Sequence, residues 1–288
     1  MSLAALSGAA IVALASTIIF LLILKSWDVL SASVVEATRF PQSIMLEAAQ
    51  RFRDEMERLG REQSHYLVAA VVFAIIFVIT YLLPPQKMFE ELPAWQLMLT
   101  LGLFVTAVLY TGFRLGQIVI VKRRLAFVRD ANMATGHSLQ KLTANQNRVF
   151  HDVPCGSRVI DNVIVGLEGI YAISVIARMP GKDNRVRLRD DTLSFAPGKE
   201  SLSVARSGAK SVRLAKELGD LLGHEVRVRS VIAVPGWEIE SQVSDDYLVV
   251  NERNLAMLIG WKNQSDYLMT EDVARIQSML TERCTRFG

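Results

Sequence analysis

The side chains best placed by type and spacing to do chemistry are basic, and the chemistry they suit is contact with phosphate. Arg185, Arg187 and Arg189 alternate along a segment predicted to be a strand, so all three share one face. Arg206, Lys210 and Arg213 follow at spacings of four and three, which sets them on one side of a predicted helix. Either row could meet a polyanion, or form a solvated basic face balanced by acids elsewhere. Arg227 and Arg229, on a core strand, suit a sheet edge or a subunit contact. Other chemistries are thinly represented. Gly208-Ala209-Lys210-Ser211 lacks the upstream Gly and the Gly-Lys pair of a P-loop. His224-Glu225 lacks the second His of a zincin. Cys155 and Cys284 have no metal-ligand spacing and read as reduced thiols. No Ser or Cys is paired with a placed base.

The elements that would position these residues fall after about residue 130. A helix is predicted over 132–142, then strands over 148–153, 159–165 and 170–176, the last two little alternated, as buried strands are. Asp190-Asp191 separates 186–188 from 193–195 as a hairpin. A helix follows over 202–222, then a buried strand over 226–234 closed by Pro235-Gly236-Trp237, a short strand over 247–250, and helices over 254–261 and 271–283. This order predicts an α/β domain with one mixed sheet and helices on both faces.

The first 129 residues are of another kind. Three apolar runs, about 3–24, 66–83 and 95–113, each approach the ~20 residues a helix needs to cross ~30 Å of hydrocarbon. They predict three transmembrane helices. The first run has no Lys or Arg before Lys25, so it reads as an uncleaved anchor, not a signal peptide. Basic residues crowd two flanks, Lys25 to Arg61 and Lys122 to Arg129, while the connector 84–94 holds Lys87 against Glu90 and Glu91. Basic flanks stay in the cytoplasm. The expectation is an amino terminus outside a bacterial cytoplasmic (inner) membrane and a cytoplasmic domain over 130–288. That domain carries 20 basic and 20 acidic residues, which argues against a dedicated polyanion binder. Between the first two runs, 41–63 reads as an amphipathic helix that could rest on the domain, on the bilayer or on a second subunit. Arg114, just past the third run, either snorkels to the interface or faces a partner acid.

Several stretches of the domain, taken in register, resemble the nuclease-related domain (NERD) family, whose fold is restriction-endonuclease-like. They are Gly136-His137-Ser138-Leu139, Arg148-Val149-Phe150-His151-Asp152-Val153-Pro154, Ile160-Asp161-Asn162-Val163-Ile164-Val165-Gly166, Gly169-Ile170-Tyr171-Ala172-Ile173 and Val234-Pro235-Gly236-Trp237. The family commonly reads G-E, VFHDVP, IDHVVVG, GVFAIETK and PGW in this order. The resemblance implies a Mg²⁺ site built from an Asp and a Glu one strand on, with a Lys two residues after the Glu to position water. Asp161 matches the Asp. Ser174 stands at the family's Glu, Ile176 at its Lys and His137 at its first-helix Glu. Its helix Gln has no match near 202–209. Asp152 is closer to this place in principle than Glu168. His151 and Asp161 could also persist for structural reasons.

One carboxylate is a poor Mg²⁺ site, so the sequence leads to an inactive nuclease-like domain with no cofactor. Its expected work is as a binding or scaffolding subunit of a membrane complex, with protein partners, a lipid bilayer, and DNA or a second copy as further candidates. The alternatives are a divergent metal-dependent nuclease in defence or DNA processing, which would need Mg²⁺, and a structural subunit of a secretion, conjugation or motor assembly.

Overall fold

The computed structural model describes residues 44–82, 94–143, 147–179, 181, 183–196, 201–255, 257–260 and 267–286, with some helical side chains left out. The first apolar run and the connector between the second and third lie outside the described residues. The chain divides into two units: Met56–Arg123, and Gln42–Glu55 with Arg124–Phe287. The second unit therefore takes in a stretch far upstream of residue 130.

In the first unit two helices run antiparallel, parts of α1 (Gln50–Leu82) and α2 (Ala94–Gln140). The Phe73 and Phe104 rings meet edge to face at 5.9 Å. Leu67, Val71, Val105, Leu109 and Phe113 point outward, the reverse of a helix pair in water. Thr106 and Thr111 return their hydroxyls to carbonyls four residues back, at 2.7 and 2.8 Å, so neither is left unsatisfied. Among the described residues one helix is long and apolar enough to cross a membrane, within Phe104–Gln140. Arg114 has an acid partner, Glu62, at 3.0 Å, and its Nε donates to the Tyr66 hydroxyl at 3.4 Å. Nearby, Lys122 donates to Gln63 at 2.9 Å.

Two sequence expectations change here. The amphipathic helix expected from Pro41 starts at Gln50, and Ile44–Met45 is instead a strand, β1. Its partner Thr285–Arg286 lies some 240 residues away, so no local pattern announces it. The separate helix expected over 132–142 is the end of α2, which runs unbroken from Ala94 because no Pro or Gly pair interrupts it.

The second unit holds a five-stranded sheet of β2 (Arg148–Cys155), β3 (Arg158–Gly166), β4 (Gly169–Val175), β8 (Val228–Ala233) and β10 (Tyr247–Val250), in the order β10-β8-β4-β3-β2. β2, β3 and β4 are antiparallel; β4–β8 and β8–β10 are parallel. The sheet is mixed, as expected, but it is not alone. β5 (Arg185–Arg189), β6 (Thr192–Phe195), β7 (Ser201–Ser203) and β9 (Glu238–Val243) form a second sheet of four. The helix expected from 202 thus starts later, as α3 (Ala205–Leu222), because Ser201–Ser203 extends to pair with β6. β9 was not expected at all: its sequence, Glu-Ile-Glu-Ser-Gln-Val, buries little and offers only weak alternation.

Helices cover both faces of the larger sheet. Leu214 and Leu218 of α3 join Val273, Ile276 and Leu280 of α5 (Thr270–Arg283) over Phe150, Val163 and Ala172. Leu139 of α2 and Leu258 of α4 (Met257–Gly260) cover Ile164, Ile173 and Val231 on the other face. Trp237 and Phe195 meet edge to face at 4.8 Å in a third cluster that closes the second sheet.

The 42–55 segment is built into this unit. Beyond the β1 ladder with β11 (Thr285–Arg286), the Leu46 amide donates to the Cys284 carbonyl at 2.8 Å. A Cβ added to Gly136 of α2 would sit 2.5 Å from the Ala48 Cβ, so this glycine permits the close approach. Helix propensity favours Gly136→Ala by about 1 kcal/mol. We expect the opposite sign, a loss of about 1–2 kcal/mol, because the 48–51 backbone must move. Thermal melts of the full chain in detergent check this; a variant more stable than wild type would refute the contact.

Candidate functional site

Asp152 and Asp161 face each other across β2 and β3. The pairs His151–Asn162 and Val153–Ile160 flank them. Alternation breaks at this rung: Phe150 and Val153 on one strand, Ile160 and Val163 on the other, all enter the same core cluster. Asp152 takes a left-handed backbone, φ 49°. On the third strand Ser174 is next in register, since Asn162 pairs with Ile173. Asp152 and Asp161 are each 5% exposed and Ser174 is 6% exposed, so the rung is closed from most solvent. Two ionised carboxylates so placed repel each other, and their burial adds to the cost.

Arg51, in the first turn of α1, resolves this. Its backbone N–H donates to Asp152 Oδ2 at 3.1 Å, and its Nε lies 3.3 Å from Asp152 Oδ1. Its Nη2 donates to Asp161 Oδ1. The other Asp161 oxygen accepts the Val175 amide at 2.8 Å. The guanidinium also lies 4.4 Å from the centre of the Phe52 ring, a cation–π distance. The turn that delivers Arg51 includes Ala49, buried and at φ 66°. A left-handed alanine costs on the order of 1 kcal/mol, so the surrounding contacts must hold it.

Burial pushes the Asp152 carboxyl above its ordinary range; the Arg51 amide and charge pull it down, and the Asp161 charge pushes it up again. A carboxyl raised in the folded state binds its proton more tightly there than in the unfolded chain. Its contribution to stability therefore falls as pH rises through the folded pKa.

Lys210 of α3 is within electrostatic reach of the same charges. Burial lowers its amine below the ordinary lysine value, with the Asp161 charge the main opposing influence and Arg51 and Arg158 adding to the fall. The structure thus separates the helical trio. Lys210 is half-buried, while Arg206 and Arg213 stay exposed and Arg213 pairs with Glu217 at 3.4 Å. The strand trio does share the exposed face of β5. Arg185 is bound to Asp183 at 2.7 Å and Arg187 to Glu240 at 2.6 Å, so these two belong to a balanced surface. Their hydrogen bonds hold both acids below the usual carboxylate range.

The other residues singled out in the sequence are not drawn together. Ile176 is half-buried against the third core cluster. His137 is exposed on α2. Glu168 lies in the β3–β4 turn, at the far end of β4 from Ser174. His151 is buried, its Nδ1 2.6 Å from Asn162 Oδ1, a structural pairing. Among the described residues no group of three or more His, Cys, Asp or Glu could hold a metal ion. Sequence reading missed Arg51 because nothing local sets it apart from the other arginines of its helix. Asp152 could have been read as its partner only through the register of β2 on β3.

A separate open cavity of about 390 Å³ lies between α3, β8 and the turn at Asp245–Tyr247. Ser230 Oγ is buried on its wall with no hydrogen-bond partner among the described residues. Arg227 and Arg229 line it together with Asp245 and Asp246, so its charge selects no ligand class.

Comparison with protein-family models, with curated proteins and with solved structures finds nothing that matches this chain.

The rung makes a graded prediction. Asp161 satisfies both a backbone amide and Arg51, whereas Asp152 bears the charge that burial disfavours. Asp161→Ala should cost about 2 kcal/mol, less than a fully buried pair because 34% of the Arg51 side chain reaches solvent. Asp152→Asn should cost less than half of that. Denaturant melts of the full chain at neutral pH check the ranking, and equal or reversed losses would refute it.

Proposed function

We propose that this chain is a membrane-anchored, catalytically inactive nuclease-like domain that serves as a binding or scaffolding subunit of a membrane-associated complex. The observation that carries this reading is the cation between Asp152 and Asp161. In the restriction-endonuclease-like reading, this rung is where a Mg²⁺ ion would be held. The residues do not fit that ion. Ser174 supplies no charge beside Asp161, the Asp161 oxygens are engaged by Arg51 and Val175, and Ile176 belongs to an apolar cluster.

Other observations support the anchored part. One helix meets the length and hydropathy of a span, and apolar side chains cover the outside of the first unit. The Glu62–Arg114–Tyr66 cluster, with Lys122 bound to the neighbouring Gln63, suits a cytoplasmic boundary. The partners this reading favours are proteins assembled at a bacterial inner membrane, with the bilayer itself. DNA is a weaker candidate, because Arg185 and Arg187 are already bound to acids. A second copy is a further candidate partner.

One observation favours the divergent nuclease. The Asp161 charge acts on the half-buried Lys210 amine, whereas Ile176 carries no charge. The two readings part in a cleavage assay. The full chain with Mg²⁺ or Mn²⁺ should cut neither DNA nor RNA above the level of an Asp161→Ala control. Reproducible cleavage abolished by that substitution would make the protein an enzyme. Pull-down of the full chain from solubilised membranes, read by mass spectrometry, should return a fixed set of membrane-complex proteins.

The orientation is tested separately. A Gly288→Cys variant should resist an impermeant thiol reagent in whole cells and react after permeabilisation. The native cysteines, Cys155 and Cys284, are buried and give little background. Rapid labelling in intact cells would place the carboxy terminus outside.

A further inference from the structure

We infer that Arg51 is a tethered cation that holds the place of a divalent ion, so that the 42–55 segment is a strap that excludes metal and completes the fold. This deepens the reading above and rests on it in one respect only, that the aspartate rung is a former metal site. Two carboxylates, each 5% exposed, stand opposite each other on adjacent strands. No arrangement of two such groups is stable when both are ionised and no cation lies between them. The chain supplies that cation from a distant segment.

The fit between Arg51 and its partners is incomplete in a telling way. Asp152 Oδ1 and Arg51 Nε are both buried without a hydrogen bond, although they lie 3.3 Å apart. They attract as charges without the alignment of a fork-to-fork pair. Asp152 therefore keeps a buried oxygen aimed at a cation that does not fully satisfy it. A spherical ion, which has no directional demand of this kind, would suit that oxygen as well.

The strap is built to hold Arg51 there. The β1–β11 ladder fixes its start, the Leu46–Cys284 backbone bond follows, and Ala48 is seated against Gly136. Arg53 Nη2 contacts Met133 Sδ at 3.8 Å, and Arg148 Nη2 contacts Met45 Sδ at 3.2 Å. Because Arg51 lies in the first turn of α1, the cation is covalently continuous with the helix that leads into the apolar unit.

The test uses the full chain in detergent, stripped with EDTA, with Mn²⁺ or Ca²⁺ as the probe and the melting temperature as the readout. Wild type should not respond to millimolar Mn²⁺. Arg51→Ala should melt about 5 °C lower and regain much of that loss with Mn²⁺. Arg51→Ala with Asp161→Asn should show no Mn²⁺ response. Three results would each overturn the inference: a wild type stabilised by Mn²⁺, an Arg51→Ala variant as stable as wild type, or one that metal does not help. If Arg51→Ala does not accumulate, Arg51→Ala with Asp152→Asn decides the matter. It should recover folded protein, because removing one carboxylate removes the need for the cation, and failure to do so counts against the inference. Cleavage by wild type would refute the inactive-nuclease reading without touching these melts. An unresponsive Arg51→Ala would refute the strap and leave that reading standing.

Discussion

The structure depends on one neutralisation. Asp152 and Asp161 occupy the only rung where both strands of the β2–β3 pair break their alternation, and Arg51 stands between them. Without that guanidinium the central sheet would carry two like charges in its interior. With it, the 42–55 segment, which leads into α1, becomes part of the α/β unit, closing it through β1 and β11. The local choices along the strap follow from this need. Ala49 accepts a left-handed backbone and Gly136 gives up its side chain, each a local cost borne to aim one residue.

The same rung governs the functional reading. Cleavage of a phosphodiester by a metal-dependent nuclease requires a cation whose coordination can be shared with substrate and water. A guanidinium held by two carboxylates has no such open positions. Lys210, whose charged form burial disfavours, restores no carboxylate.

Much of the architecture was legible from composition and period. Strands β2, β3 and β4, the α3 and α5 helices and the contrast between an apolar first part and a charged second part all follow from local pattern. Ser174 lies on β4 and Ile176 follows directly after its end. The errors were of one type. β1, β7 and β9 are short, weakly patterned strands whose existence depends on a partner elsewhere. The second sheet was read as a lone hairpin because β9, which is parallel to β5 and distant in sequence, carries little hydrophobic signal.

The sequence by itself determined what each segment could bury: which stretches are apolar enough to avoid water and which strands are interior. These are properties of side-chain type and local period, and neighbours in the chain suffice to express them. Only the tertiary structure decided what stands against Asp161. An ion pair between residues 51 and 161 has no local signature, since either partner alone is one charged residue among many. It exists because strand register sets two aspartates face to face, and because a strap fixed 240 residues away brings the one cation that makes their burial tolerable.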